Sequence, residues 1–287
     1  MRRSTAHSFI NPILAISTLL FISTPLLAET VNIGSLDTAP TIDGNDADWS
    51  QVSATKVSLN NNKASGKANI PSVSVKSAVH GDSVYFLLQW EDDDMDDQHK
   101  PYVWDNKKGK YVAGPQREDR LAIQFAMSGD YDVNWLSGKA FTADTWHWKA
   151  ARSNSLGLAQ DKMTVISKDP IKKAYKGKAA DGSTIYIKRP SDKGSKFYKT
   201  KRYSSKEKDM MPKYINAASA SGSVADVKAK GVWSDGKWTL ELSRKMNTGN
   251  GDDVAFSSGQ MVTGGIAIFD HSGDDDHSIS HLLSFQF

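Results

Sequence analysis

The chain has 287 residues, with 36 Lys and Arg against 33 Asp and Glu, a formal net charge of +3, and no cysteine. Charges so nearly balanced make no electrostatic case for nucleic acid, which is not expected as a partner. The lack of cysteine excludes disulfides, thiolate metal sites, iron–sulfur clusters and covalently attached c-type haem.

The first 28 residues read as a secretory signal peptide. Arg2 and Arg3 give the positive start, the apolar run PILAISTLLFISTPLLA follows, and Ala28 is a small residue at the expected cleavage point. Ser17, Ser23, Thr24 and Pro25 interrupt the run, so it is too short and broken for a stable membrane span. Cleavage before Glu29 would leave residues 29–287 as one domain that is not transmembrane. Left uncleaved, the same segment would be an N-terminal anchor. An exported chain with no disulfides fits a Gram-negative periplasm.

Short β-type runs then recur in chain order. APTIDGNDADWSQV (39–52) carries a D-G-x-x-x-D-W element at a strand entry. SVSVKSAVH (72–80) alternates, GDS turns, and VYFLLQW (84–90) is a strongly apolar strand. That strand runs into EDDDMDDQH (91–99), six acids in seven positions. Carboxylate oxygens of Asp92–Asp97 could hold Ca2+, but the alternating ligand spacing of a calcium loop is missing, and a solvated acidic turn competes with that reading. RLAIQFAM (120–127) sets Leu121, Ile123 and Phe125 on one face and Ala122, Gln124 and Ala126 on the other.

TWHWKAARSN (145–154) places His147 between Trp146 and Trp148. In an extended strand the two tryptophans share one face and His147 points to the other. Residues 168–213 hold fifteen Lys or Arg and five Asp or Glu, a long basic excursion with a small hairpin expected near STIYIKR (183–189). It reads either as a solvated loop or as a docking surface for an acidic partner. WSDGKWTLELSR (233–244) predicts a hairpin turning at Asp235-Gly236. GGIAIFDH (264–271) and SISHLLSFQF (278–287) close the chain. No helical period of any length is present. Many short strands separated by turn residues predict an all-β fold, an antiparallel β-sandwich of immunoglobulin or lectin-like type with a long basic loop.

The D-G-x-x-x-D-W element and the acidic run together resemble the sandwich domains that include family 9 carbohydrate-binding modules and related haem-binding domains. TWHWKAARSNSLGLAQD (145–161), GVWSDGKWTLELSRKM (231–246) and AIFDHSGDDDHSISHLLSF (267–285) follow in order. In that combination they resemble the haem-binding domain of the ethylbenzene dehydrogenase small subunit and related molybdenum enzymes. The resemblance runs from about Asp43 to the end, apart from the basic excursion. It implies a sandwich that holds one non-covalent haem b and exchanges electrons with a redox partner protein, such as a molybdenum-enzyme subunit or a membrane cytochrome.

In that family the iron is held by a methionine and a lysine. The lysine position corresponds to His277, before SIS, and the methionine position to Leu136, in LSGKAF, which cannot ligate iron. Neutral imidazole is a competent iron ligand, so His277 with His147 is the leading axial pair, with Met127 and Met95 in reserve. His277 and His281 are about 13 Å apart along an extended strand, so at most one is axial. Lys149 and Arg152 could pair with haem propionates or be solvated charges at a strand end. Hydrolase, metalloprotease and nucleotide-binding signatures are missing, so an electron-transfer role without substrate chemistry is expected. A non-catalytic carbohydrate-binding module is the alternative, and a scaffold protein that has lost its ligand is a third reading.

Overall fold

The computed structural model describes residues 28–287 apart from 64, 65, 67, 68 and 218; residues 1–27 of the expected signal lie outside the described residues. The chain begins with β1 (Glu29–Asn32), β2 (Gly34–Ser35), β3 (Thr55–Asn61), β4 (Ser72–His80) and β5 (Ser83–Glu91). It continues through β6 (Tyr102–Asp105), β7 (Lys110–Ala113), β8 (Arg120–Gly129), β9 (Phe141–Lys149) and β10 (Gln160–Ser167). The basic excursion supplies β11 (Tyr175–Lys178), β12 (Thr184–Lys188), β13 (Tyr198–Thr200) and β14 (Met210–Met211), with β15 (Tyr214–Asn216) just beyond. The last strands are β16 (Lys228–Ser234), β17 (Lys237–Lys245), β18 (Met261–Phe269), β19 (Ser278–Ser280) and β20 (Leu283–Gln286).

These strands build an antiparallel β-sandwich. The back sheet runs β3-β4-β5-β17-β16, and the front sheet runs β11-β12-β10-β9-β8-β18, with β19 and β20 both on β18. Strand β3 joins the layers: Thr55–Ser58 pair with β4, and Leu59–Asn61 pair with β19. The excursion is not a bare loop, since β11 and β12 extend the front sheet while β13–β15 and β14–β6–β7 form small separate sheets.

Period-two alternation decides what enters the core. Val73, Val75, Val84, Phe86, Leu88 and Trp90 point inward from the back sheet, and Leu121, Ile123, Phe125, Trp146 and Trp148 meet them from the front. The rings interlock, with Phe86 edge-on to Trp146 at 5.8 Å and Trp148 edge-on to Trp238 at 5.0 Å. Gly231 is needed for this packing, because a Cβ there would lie 2.4 Å from the Trp148 ring. The expected β16–β17 hairpin turns at Asp235 and Gly236, both at positive φ (52° and 76°), as a two-residue type I′ turn requires.

At one edge of the core a single cation joins the two layers. Arg244 of β17 donates from Nη1 to Asp144 of β9 at 2.7 Å and to Asp161 of β10 at 3.2 Å, and it lies 3.4 Å from Asp253. All four side chains are buried, and the guanidinium also lies over the Trp146 ring. Burial pushes the Asp144 and Asp161 carboxyls above their ordinary range, and the Arg244 charge opposes that rise. Arg244→Met would strand three buried acids, so urea denaturation at neutral pH should show a loss of about 3–5 kcal/mol. Part of it should return near pH 4, where the raised Asp144 and Asp161 carboxyls can protonate; a loss below about 1 kcal/mol would show that these two are not ionised.

Candidate functional site

The outer face of the front sheet carries the residues that alternate with the core. Register aligns Gln160, His147, Ala122, Ala267 and Ile279 in one row across β10, β9, β8, β18 and β19. The next row aligns Lys149, Arg120 and Phe269. His277 immediately precedes β19 and falls beside Phe269. Ala122 and Ala267 keep the floor between the larger side chains low.

Phe269 lies between the two expected imidazoles. Its ring centroid is 5.9 Å from that of His147 and 4.8 Å from that of His277. His147 Nε2 and His277 Nδ1 are both buried and meet no hydrogen-bond partner among the described residues. Burial, and then the neighbouring Lys149 charge, holds His147 well below the ordinary imidazole value. Burial, and then Arg120, lowers His277 to about 4. Both rings are therefore neutral near pH 7, the form that ligates a metal.

Cations surround this pair. Arg120 lies over the Phe269 ring at 4.1 Å and donates to the Ser272 carbonyl at 2.8 Å, while Asp274 binds both Arg120 and Arg189. Burial tends to raise Asp274, but the two arginines outweigh it and hold the carboxyl far below its ordinary value. Arg152 is paired with buried Glu118 and sits between the Tyr198 and Tyr214 rings. Lys149 Nζ donates to Gln160 and contacts the Tyr198 hydroxyl at 3.4 Å, both neutral groups. Lys149 and Lys162 make no ion pair among the described residues, and burial depresses both, Lys162 to about 8.

The other expected residues lie apart. Met127 packs against the core on the opposite side of the sheet, and Met95 is half exposed in the acidic turn. Leu136 is 38 % exposed and abuts Gly177 of β11. The last strand breaks after Ser280, and His281 meets Asn60 instead of sharing the His277 environment. His80 binds the Leu36 carbonyl, His99 lies against Glu118 and Tyr214, and His271 is a turn residue bonded to Asp96.

In the acidic turn only Asp92 is buried. Its partners in space are Asp119 and Asp270, not its sequence neighbours. Burial, then mutual repulsion, pushes Asp92 up to about 7 and Asp119 up to about 8. Sequence reasoning missed Arg120, Phe269, Asp119 and Lys162. For Arg120, Phe269 and Lys162 the signal was a polar or bulky residue at an outward strand position; Asp119, just before β8, had none.

Two cavities open among the described residues, one on the other sheet and one beside Tyr214. One, of about 500 Å3, opens on the outer face of the back sheet between Asp43, Gln89, Glu91, Asp235 and Lys237, with no aromatic side chain in its lining. The other, of about 340 Å3, is lined by His99, Pro101, Met210, Met211, Lys213 and Tyr214. Trp49, Trp90, Trp146, Trp148 and Trp238 are buried, which leaves Trp104, Trp135 and Trp233 as the half-exposed tryptophans. No helix of the described residues is long and apolar enough to cross a membrane.

Lys162 faces Arg189 and Arg152, opposed by Asp274 and Asp192. Its folded-state value lies below the unfolded one, so its cost to stability is full below about pH 8 and gone above 10.5. Lys162→Met should stabilise the protein by on the order of 2 kcal/mol at pH 7, a gain that shrinks as pH rises through that window. A gain independent of pH in denaturation curves would assign the effect to packing instead.

Among solved structures, the chain is similar to one from Bacteroides uniformis ATCC 8492 described as a carbohydrate-binding protein. The identity is 10 % and the TM-score 0.44, over 90 % of this chain and 100 % of that one. A family 9 carbohydrate-binding module from Caldicellulosiruptor kristjanssonii, in complex with glucose, is 8 % identical with a TM-score of 0.40, over 90 % and 96 % of the two chains. Curated proteins provide no match. The family model described as ethylbenzene dehydrogenase matches residues 46–280, which contain β3 to β19 and every residue of the outer-face site. The chain belongs to the ethylbenzene dehydrogenase family.

Proposed function

We propose that the chain binds one non-covalent haem b on the outer face of the front sheet and transfers electrons as a subunit or carrier for a larger oxidoreductase. One observation carries the reading: a buried imidazole, His147, and a half-buried one, His277, each with a buried, partnerless ring nitrogen, flank Phe269 beneath cationic side chains. That donor set fits haem, and family membership points the same way. Bound haem would supply a reversible one-electron redox step.

The residues of this chain have separable tasks. His147 Nε2 and His277 Nδ1 offer the ligating nitrogens, and burial keeps protons off both. Phe269 fills the space between them, so its ring must turn aside before a porphyrin can reach both imidazoles. Lys149 and Lys162, which make no ion pair with a carboxylate of the described residues, would take the propionates through charge-assisted hydrogen bonds. Arg152 is already held by Glu118 and would act mainly by its field. Lys199, Lys201, Arg202, Lys206 and Lys208 of the excursion are exposed and suit an acidic docking face on a redox partner, such as a molybdenum-enzyme subunit or a membrane cytochrome. Export through the leader to the periplasm is part of the same proposal.

The purified protein titrated with hemin should develop a Soret band that shifts on reduction. His277→Ala and His147→Ala should each weaken hemin affinity about tenfold or more and lose the low-spin spectrum, while His281→Ala keeps both. Phe269→Ala should take up hemin faster than the parent. A protein that stays colourless after expression in haem-replete cells and binds no hemin would overturn the reading.

A further inference from the structure

Two trios of carboxylates converge inside this molecule. The trio of Asp144, Asp161 and Asp253 closes on Arg244, so its neutralising cation is a side chain. The trio of Asp92, Asp119 and Asp270 has none: no Lys or Arg among the described residues bonds to any of the three. Asp119 is fully buried and accepts from the Asp96 N–H at 2.8 Å, the Trp238 Nε1–H at 3.1 Å and the His271 N–H at 3.3 Å. Asp92 is 5 % exposed; its Oδ1 accepts from the Asp94 N–H, and its buried Oδ2 meets no hydrogen-bond partner. The nearby Trp90 indole N–H acts on the Asp92 charge but closes no hydrogen bond.

We infer that Asp92, Asp119 and Asp270 form a Ca2+ site that ties the two sheets together at one end of the sandwich. Asp92 follows β5 of the back sheet, Asp119 precedes β8 of the front sheet, and Asp270 follows β18 beside it. One oxygen from each lies within 4.8 Å of the others, a spread that Ca–O distances of about 2.3–2.6 Å allow. Mg2+ dehydrates reluctantly and keeps several waters, which a buried trio of protein carboxylates suits less well, and the donors are all hard oxygens rather than the imidazole and thiolate that favour Zn2+. The nearest imidazole, His271, is held by Asp96 at 2.8 Å. The site differs from a calcium loop because its ligands come from three distant segments, with only Asp92 drawn from the acidic run.

The test uses the full chain after treatment with a chelator. Calorimetric titration with CaCl2 should show one ion per chain, and a saturating excess should raise the melting temperature by roughly 5 °C or more. MgCl2 at the same concentration should give less. Asp92→Asn and Asp270→Asn should abolish the calcium response. Both substitutions remove charge repulsion, so their metal-free melting temperatures should not fall below that of the parent. Glu91→Gln, an exposed neighbour outside the trio, should respond like the parent. Absence of heat and of any shift in the parent, or survival of the calcium shift in both Asn variants, would overturn the inference. Neither readout depends on hemin.

Discussion

Trp146 and Trp148 enter the core from the front sheet and pack against Phe86, Trp90 and Trp238 of the back sheet. Because side chains alternate along β9, that choice sends His147 and Lys149 to the opposite face. A one-residue slip would exchange a tryptophan for a lysine in the core, so the register of β9 is fixed by hydrophobic burial. Gly231 admits the Trp148 ring, and Arg244 bonds the acids of β9 and β10 from the other layer. The outer-face site is thus placed by forces that act on the inner face.

What makes the outer face unusual is that it is covered as well. The excursion, β15 and the 99–119 segment bring Tyr198, Tyr214 and Glu118 over the end of β9, where Glu118 also accepts from the Ala151 and Arg152 N–H groups. Desolvating several cations together is unfavourable unless each finds an anion. Arg120, Arg152 and Arg189 find Asp274 or Glu118; Lys149 and Lys162 do not. An anionic guest would offset the cost of those two lysines, which is why their isolation bears on function more than the paired arginines do.

Local patterns made much of the sandwich legible in the sequence. The Asp235-Gly236 turn and the inward set Leu121, Ile123 and Phe125 follow from local rules of turn chemistry and alternation. That His147 opposes Trp146 and Trp148 followed from the same period; which of the two faces is the inner one did not. What local rules could not reach was pairing at a distance. Strand β14 lies on β6, with Met210 opposite Val103, and two such short strands carry too little pattern to announce each other. The break after Ser280 coincides with a one-residue register shift along β18, between the Ala267–Ile279 pair and the Gly264–Leu283 pair. Phe269 could not be placed between two histidines from sequence, because the three residues meet only through the register of β8, β9 and β18.

That same register links the two clusters of this end of the molecule. Phe269 pairs with Arg120 across β18 and β8, so Asp270 and Asp119 are the residues that continue those strands out of the ladder. One step along the backbone therefore separates the ring between the imidazoles from one acid, and the guanidinium over that ring from another. A cation among them would offset the repulsion that helps to raise Asp92 and Asp119. Phe269 and Arg120 would then have less freedom to turn aside, because their backbone would be held from the next residue. Phe269–Asp270 and Asp119–Arg120 are each joined by one peptide bond, so a cation held by the acids would fix the backbone next to the ring between the imidazoles.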